Sequence, residues 1–255
     1  MTVLAASFLL TAILYAAAGF GGGSTYNAIL VLAGVDFTVL VPVALACNLT
    51  VVSGSSVRFA KAGLLRLTRI TPFVFTSIPA AWLAARMPIA KETFVLLLGL
   101  SLIAAAVLLW FEKQIQPRAF FHHNKMMPWA VGLPTGAALG GMAGLVGIGG
   151  GIFLSPVLNL MRFDNPKIIA ASAAFFILVN STAGLAGQLT KLDTANQLSE
   201  AFAYAPLLIA VFIGGQLGSH FAVNRLSSQI VRRLTALLIG AVGIRLLNTW
   251  WEFTA

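Results

Sequence analysis

Two five-residue runs hold four glycines each, Gly19-Phe20-Gly21-Gly22-Gly23 and Gly147-Ile148-Gly149-Gly150-Gly151. Each run is followed by a short apolar stretch, Ser24 to Ala33 or Ile152 to Met161, that reads as a helix of about ten to twelve residues. The unpaired N–H groups at the start of such a helix, together with the positive end of its dipole, favour an anion. Glycine permits positive φ and lets a ligand approach the main chain. The chemistry these runs offer is recognition of a small anion, such as sulfite, a sulfonate or a carboxylate, by the backbone of Gly21, Gly22, Gly23, Gly149, Gly150 and Gly151. Close helix packing is the competing use of such residues. Two runs in matching positions favour the ligand site. A nucleotide phosphate loop does not fit, because no Gly-Lys-Ser/Thr follows either run.

Polar side chains nearby extend the candidate site. Ser24, Thr25 and Asn27 fall in the first turns after the first run, whereas Ile152, Phe153 and Leu154 hold the matching places after the second. The backbone is the donor the two runs share. Asn48 lies near the centre of the next long helix, with Ser55 and Ser56 about two turns on. Asn180, Gly184 and Gln188 share one helical face at i, i+4 and i+8. These residues either line a substrate path or bond helix to helix. Asp36 and Asp164 each precede a helix start, where an N-cap is the ordinary role. All seven acids lie in loops or at helix ends, so no carboxylate proton relay is visible within the membrane. Sodium held by backbone carbonyls, or flux driven by the membrane potential, stays open.

Other chemistries are poorly served. Ser24 is the only suggestive nucleophile and no His shares its expected depth, so an enzyme is not expected. A single cysteine, Cys47, excludes disulfides within the chain and multi-thiolate metal sites, and reads as a packed small residue. No metal or cofactor is expected. His220 reads as interfacial, and Trp250 and Trp251 suit an aromatic belt. Pro79 is expected to kink its helix, and Gly214, Gly215 and Gly218 to bring helices close.

The elements that position these residues must sit in lipid. Of 255 residues, 59% are hydrophobic and 9% charged, with mean hydropathy +0.93, so a water-soluble globule could not cover its apolar surface. The net charge of +9 comes from Lys and Arg at the ends of apolar stretches, which reports topology and not nucleic-acid binding. Met1 to Phe20 imitates a secretory signal, but it lacks a basic n-region and Pro128 to Gly147 repeats its design, so it belongs to the fold.

Sliding the chain by 128 positions aligns the two glycine runs without a gap, together with Leu30, Leu32, Asp36, Ala46 and Ser53 on Leu158, Leu160, Asp164, Ala174 and Ser181. The expected fold is an all-α integral membrane protein of two inverted repeats, each a Gly-tipped helical hairpin plus three transmembrane helices. Residues 1–255 form one transporter domain: repeat 1 at 1–111, a cytoplasmic linker at 112–127, repeat 2 at 128–255. Charge sets the inversion. Arg58, Lys61, Arg66 and Arg69 make one loop cytoplasmic, while its counterpart with Lys191, Asp193 and Glu200 reads as external. The next loops reverse the comparison, with Arg86, Lys91 and Glu92 weakly basic and Arg225, Arg232 and Arg233 strongly so. Lys113, Arg118 and Lys125 outnumber Glu112 and put the linker inside, and Arg162 and Lys167 bring the second hairpin back there. Both termini then fall outside. Two hairpins entering from opposite faces would meet at mid-membrane.

At these residues the chain resembles the sulfite exporter TauE/SafE family, also called the toluene sulfonate uptake permease family. The resemblance rests on Gly-Phe-Gly-Gly-Gly at 19–23, Gly-Ile-Gly-Gly-Gly-Ile-Phe-Leu-Ser-Pro at 147–156, and Cys47-Asn48 leading into Arg58-Phe59-Ala60-Lys61-Ala62-Gly63. One departure is Ala28, where the second copy has Pro156. The resemblance implies a bacterial inner-membrane protein that moves sulfite, a sulfonate or a related organosulfur anion, often outward. An anion channel, or an uptake permease for another small organic anion, is the alternative. The partners expected are the anion and the bilayer; the oligomeric state is open, a homodimer being one expectation.

Overall fold

The computed structural model describes residues 1–111, 129–161, 163–191, 195–224 and 228–254. The linker 112–127, and Arg162, Asp193 and Arg225 from the charge comparison, lie outside the described residues, as do the side chains of His220 and Arg232. The described residues are all-helical, without strands. In chain order they form α1 (Thr2–Ala18), α2 (Gly23–Leu32), α3 (Phe37–Lys61), α4 (Leu67–Arg86), α5 (Lys91–Phe111), α6 (Trp129–Val146), α7 (Gly151–Leu160), α8 (Pro166–Leu189), α9 (Ala195–Ala203), α10 (Pro206–Asn224) and α11 (Ser228–Thr254). Five stretches are long and apolar enough to cross a membrane: α3, α5, α6, α8 and Arg233–Phe253 of α11.

Local sequence explains the breaks. α1 stops at Gly19, whose φ of 82° turns the chain while the Phe20 amide donates back to the Tyr15 carbonyl at 2.8 Å. α2 and α7 each run for ten residues, about half a bilayer at ~1.5 Å per residue. The change from Ala28 to Pro156 leaves that length unaltered. α3 starts behind Asp36, whose carboxylate accepts the Thr38 amide at 2.8 Å, as an N-cap should. Asp164 does not repeat this role. Asn165 stands directly before Pro166 and accepts the Ile168 amide at 3.0 Å, so it caps α8. Asp164, one residue too early, instead pairs with Arg69 of α4, with Arg66 a further 3.9 Å away. The short helix α9 is a second difference from expectation, since Lys191 to Glu200 reads as a plain loop. Pro72 and Pro79 lie inside α4 without ending it.

Packing interleaves the two halves of the chain. α3 lies against α8 at the centre, α5 against α11, α4 along α6, and α1 along α10. Small residues set the last two contacts. On α6, every fourth residue from Gly132 to Gly144 is glycine, and a methyl group there would run into α4 at Pro72, Phe73, Ser77 and Ala81. Gly214 and Gly218 bring α10 equally close to the Leu9 and Ile13 carbonyls of α1, as their spacing suggests. The outer faces carry Leu10, Phe75, Leu83, Ile209 and Leu237 exposed, which suits lipid as the surrounding solvent.

Candidate functional site

The first glycine tip is a buried, side-chain-braced helix start. Gly22 precedes α2 with a φ of 93°, a left-handed conformation open to glycine at little cost. It has no side chain to cap the helix, and the cap arrives from elsewhere. Asn48 of α3 accepts the Gly23 amide on Oδ1 at 3.1 Å, and its Nδ2 donates to Ser181 Oγ of α8 at 2.8 Å. A methyl group on Gly21 would collide with Asn48 Oδ1, so the close approach requires glycine. The Tyr15 hydroxyl of α1 bonds Thr25 Oγ1 at 2.6 Å and Ser24 Oγ at 3.4 Å, pinning both side chains to the hairpin's other arm.

The second tip is built from the same backbone with different neighbours. Gly150 precedes α7 at φ 73°, again without a side-chain cap. Where the first tip meets Asn48, the second meets Phe176, whose ring lies 3.0 Å from where a Gly150 methyl would stand. Phe176 is the residue 128 positions beyond Asn48. A methyl on Gly149 would fall 2.6 Å from Ser181 Oγ and 2.8 Å from Asn48 Nδ2, so this tip abuts the far end of the bridge that braces the first. Asn27 completes the junction. Its Nδ2 donates to the carbonyls of Val146, at 2.8 Å, and Gly147, at 3.0 Å, satisfying acceptors that the end of α6 exposes.

The structure thus brings together Gly21, Gly22, Gly23, Asn27, Asn48, Gly149, Gly150 and Gly151, with Ser181 as the residue that sequence reasoning used only to align the repeat. Ser24 and Thr25 sit at the tip but face Tyr15. Asn180, one turn beyond Phe176, donates to the Phe176 carbonyl at 2.8 Å and leaves its Oδ1 buried without a partner among the described residues. Tyr26 is the residue sequence reasoning missed. It is fully buried, its ring stacks on Phe8 at 4.6 Å, and its hydroxyl, which has no partner among the described residues, lies 2.9 Å from where a Gly22 methyl would stand. An unpartnered hydroxyl aimed at a helix start is conspicuous, since such groups are nearly always bonded. A phenol in the first turn after a glycine run was the available signal.

Gln188 stands apart, about 12 Å along α8 from Asn180 at ~1.5 Å per residue. It lines a cavity of about 120 Å³ with Phe37, Thr38, Val41, Phe94 and Lys191, among others. Partial burial pulls the Lys191 ammonium below the usual lysine range. Lys191 Nζ donates to the Met87 carbonyl at 2.8 Å. A second, almost entirely apolar cavity of about 220 Å³ lies between α3, α8, α9 and α10, and buried Cys47 is one of its walls.

Interleaved apolar helices around two buried, glycine-started half-helices define a multi-pass membrane protein of the transporter class. The chain belongs to the sulfite exporter TauE/SafE family of membrane transporters, whose sequence profile matches residues 4–246. A probable membrane transporter protein, y4hK, of Sinorhizobium fredii (strain NGR234) is 31% identical over 244 residues, covering 96% of this chain and 97% of that protein. A second relative, the probable membrane transporter protein YunE of Bacillus subtilis (strain 168), is 29% identical over 115 residues, 44% of this chain and 40% of that one. No solved structure matches.

Proposed function

We propose that this transporter carries sulfite or a related small organosulfur anion out of the cell, held at mid-membrane between the two glycine tips. One observation carries the reading: two half-length helices begin at buried glycine runs and converge on the Asn48–Ser181 bond, with the Tyr26 hydroxyl left over beside one of them. Backbone amides and one phenol suit a pyramidal, oxygen-rich anion without any buried cation. Gly21, Gly22, Gly23, Gly149, Gly150 and Gly151 supply the main chain; Ser24, Thr25, Asn27, Asn48 and Asn180 shape the site, and Gln188 lies on the route to it. The chain is read as a carrier and not an enzyme.

The inverted repeat is supported by which loops meet. Asp164, ahead of α8, pairs with Arg69 at the start of α4, whereas Lys191, beyond the end of α8, reaches Met87 beyond the end of α4. Thr38 at the start of α3 shares a cavity with Lys191, so α3 runs against α8 and the two hairpins open at opposite ends. With the basic Arg66 and Arg69 inside, the termini fall outside and the membrane is the bacterial inner membrane.

The test is uptake and release of labelled sulfite by proteoliposomes of the purified protein, with sulfate, acetate and a small sulfonate as competitors. Saturable flux, stimulated by sulfite on the far side and blocked by the sulfonate, is expected. Flux that rises linearly without trans-stimulation indicates a channel, and no sulfite flux through folded protein refutes the substrate assignment.

A further inference from the structure

The cavity at the Lys191 end of α8 has a chemistry of its own. Its walls are mostly apolar, from Phe37, Val41, Ile89, Phe94 and Leu145, and no acid is among the described residues that line it. Two polar groups are available inside. The Lys191 ammonium has three donors and gives one to Met87, leaving two. The Gln188 amide has no hydrogen-bond partner among the described residues. Thr38 also lines the space, but its hydroxyl is committed to the Asp36 carboxylate. A cation against low-dielectric walls concentrates its field and raises the local concentration of anions. The cavity also adjoins the second glycine tip: Leu145 lies two residues before Gly147, and Val41 packs directly against Gly147.

We propose that Lys191 and Gln188 form an outer subsite for a small oxyanion, a waiting position between the outer membrane surface and the glycine tips that an exported anion occupies before release. The inference rests on the anion-carrier reading above. It adds two side chains outside the tips and a cation that the mid-membrane site lacks. A cavity of about 120 Å³ accommodates a sulfite-sized anion with little other than a water or two. Val41 then separates the waiting anion from the Gly147 backbone, so passage between the two positions requires that side chain to move.

The test is the concentration dependence of labelled sulfite flux with the anion presented to the Lys191 face, in proteoliposomes of established protein orientation, for wild type, Lys191→Gln, Lys191→Arg and Gln188→Leu. Lys191→Gln is expected to raise the half-saturating concentration about five-fold while the maximal rate stays within about two-fold, as loss of a steering charge does. Lys191→Arg restores the wild-type value, and Gln188→Leu gives a smaller rise in the same direction. An unchanged half-saturation, or a fall in maximal rate alone, overturns the subsite and leaves Lys191 as a brace for Met87. An anionic lipid headgroup presents the same chemistry as a free oxyanion, so the series is run in phosphatidylcholine alone and with phosphatidylglycerol added. An effect seen only with phosphatidylglycerol assigns the ammonium to lipid and overturns the proposal. Folded wild-type protein that moves no sulfite fells the sulfite assignment and this inference together, whereas wild-type flux with an indifferent Lys191 removes only the inference.

Discussion

The two glycine tips have nearly the same backbone and opposite surroundings. At the first, Asn48 takes the Gly23 amide, Tyr15 holds Ser24 and Thr25, and the Tyr26 hydroxyl has no partner among the described residues. At the second, Phe176 occupies Asn48's place, Ile152, Phe153 and Leu154 fill the first turn, and no side chain among the described residues caps the helix. The difference implies a division of labour. A helix start that already gives a donor to Asn48 has less to offer an anion, while the bare start of α7 keeps its amides available. In exchange, the first tip brings a hydroxyl and the amide bridge that ties both halves of the chain together.

The most severe way to break the comparison is to place a methyl group on each tip. Gly22→Ala and Gly150→Ala each force an L-residue into a left-handed conformation, at about 1–2 kcal/mol, and push a methyl toward Tyr26 or Phe176. Both are expected to lower sulfite flux by about a hundred-fold, close to 3 kcal/mol of lost site geometry. Flux is measured beside a size-exclusion profile that certifies folding. If either variant folds and transports normally, that tip does not contact substrate. If Gly150→Ala is the more damaging, the bare second tip is the main anion cradle.

Next in size is the bridge. Asn48→Ala strands the Gly23 amide and the Ser181 hydroxyl in the interior, and buried groups without partners cost about 1–3 kcal/mol each. A thermal shift of the purified protein in detergent should show a clear loss. Asn27→Ala strands the Val146 and Gly147 carbonyls instead and is expected to lose less, because under-satisfied carbonyls are better tolerated than orphaned amides. Equal losses would make the two tips equivalent supports.

Tyr26→Phe sharpens the comparison because it separates binding from folding. The hydroxyl has no partner among the described residues, so removing it leaves stability unchanged or improved. If it donates to substrate, the half-saturating concentration for sulfite rises about five- to ten-fold, the equivalent of about one hydrogen bond to a charged group. A Tyr26→Phe protein with unaltered transport kinetics means the anion does not visit the first tip.

How much of this was legible in sequence follows from the range of each interaction. The glycine runs, the ten-residue second arms and the Asp36 cap depend on residues within a few positions of one another, and pattern alone exposes them. Gly214 and Gly218 were legible as packing residues for the same reason. The glycine at every fourth position of α6 carries an equally local signal, but it lay so close to the second glycine run that the run drew the attention. By contrast, Asn48 reaches Ser181 across 133 positions and Asn27 reaches Gly147 across 120. Nothing local distinguishes an asparagine that braces a tip from one that lines a path. Tyr26 escaped because its ring folds back over Gly22 within one turn, a direction that spacing does not specify. The Lys191 cavity needs α3, α5, α6, α8 and the α4–α5 loop assembled before it exists.

Asp36 and Asp164 repeat the comparison at smaller scale, since they match in the repeat yet do different work. Asp164 is tied to Arg69 across the structure, while Asp36 is exposed and serves only its own helix. Thr38's hydroxyl, and after it Thr38's amide, hold the Asp36 carboxyl below its usual range. The sign follows from linkage. A carboxyl depressed in the folded state contributes stability that is fully present above its unfolded value, near 3.9, and is lost as pH falls through the folded value. Asp36→Ala is therefore expected to lose about 1 kcal/mol at neutral pH, the ordinary worth of an N-cap. Solvent screening confines the pH-dependent share to a fraction of that. Thermal unfolding of wild type and Asp36→Ala, followed from pH 7 to pH 3, should show the gap narrowing as acid removes the charge. A constant gap would mean that the cap acts through shape and hydrogen bonding alone, and a gap as large as that of Asp164→Ala would erase the distinction between a local cap and a tie across the molecule.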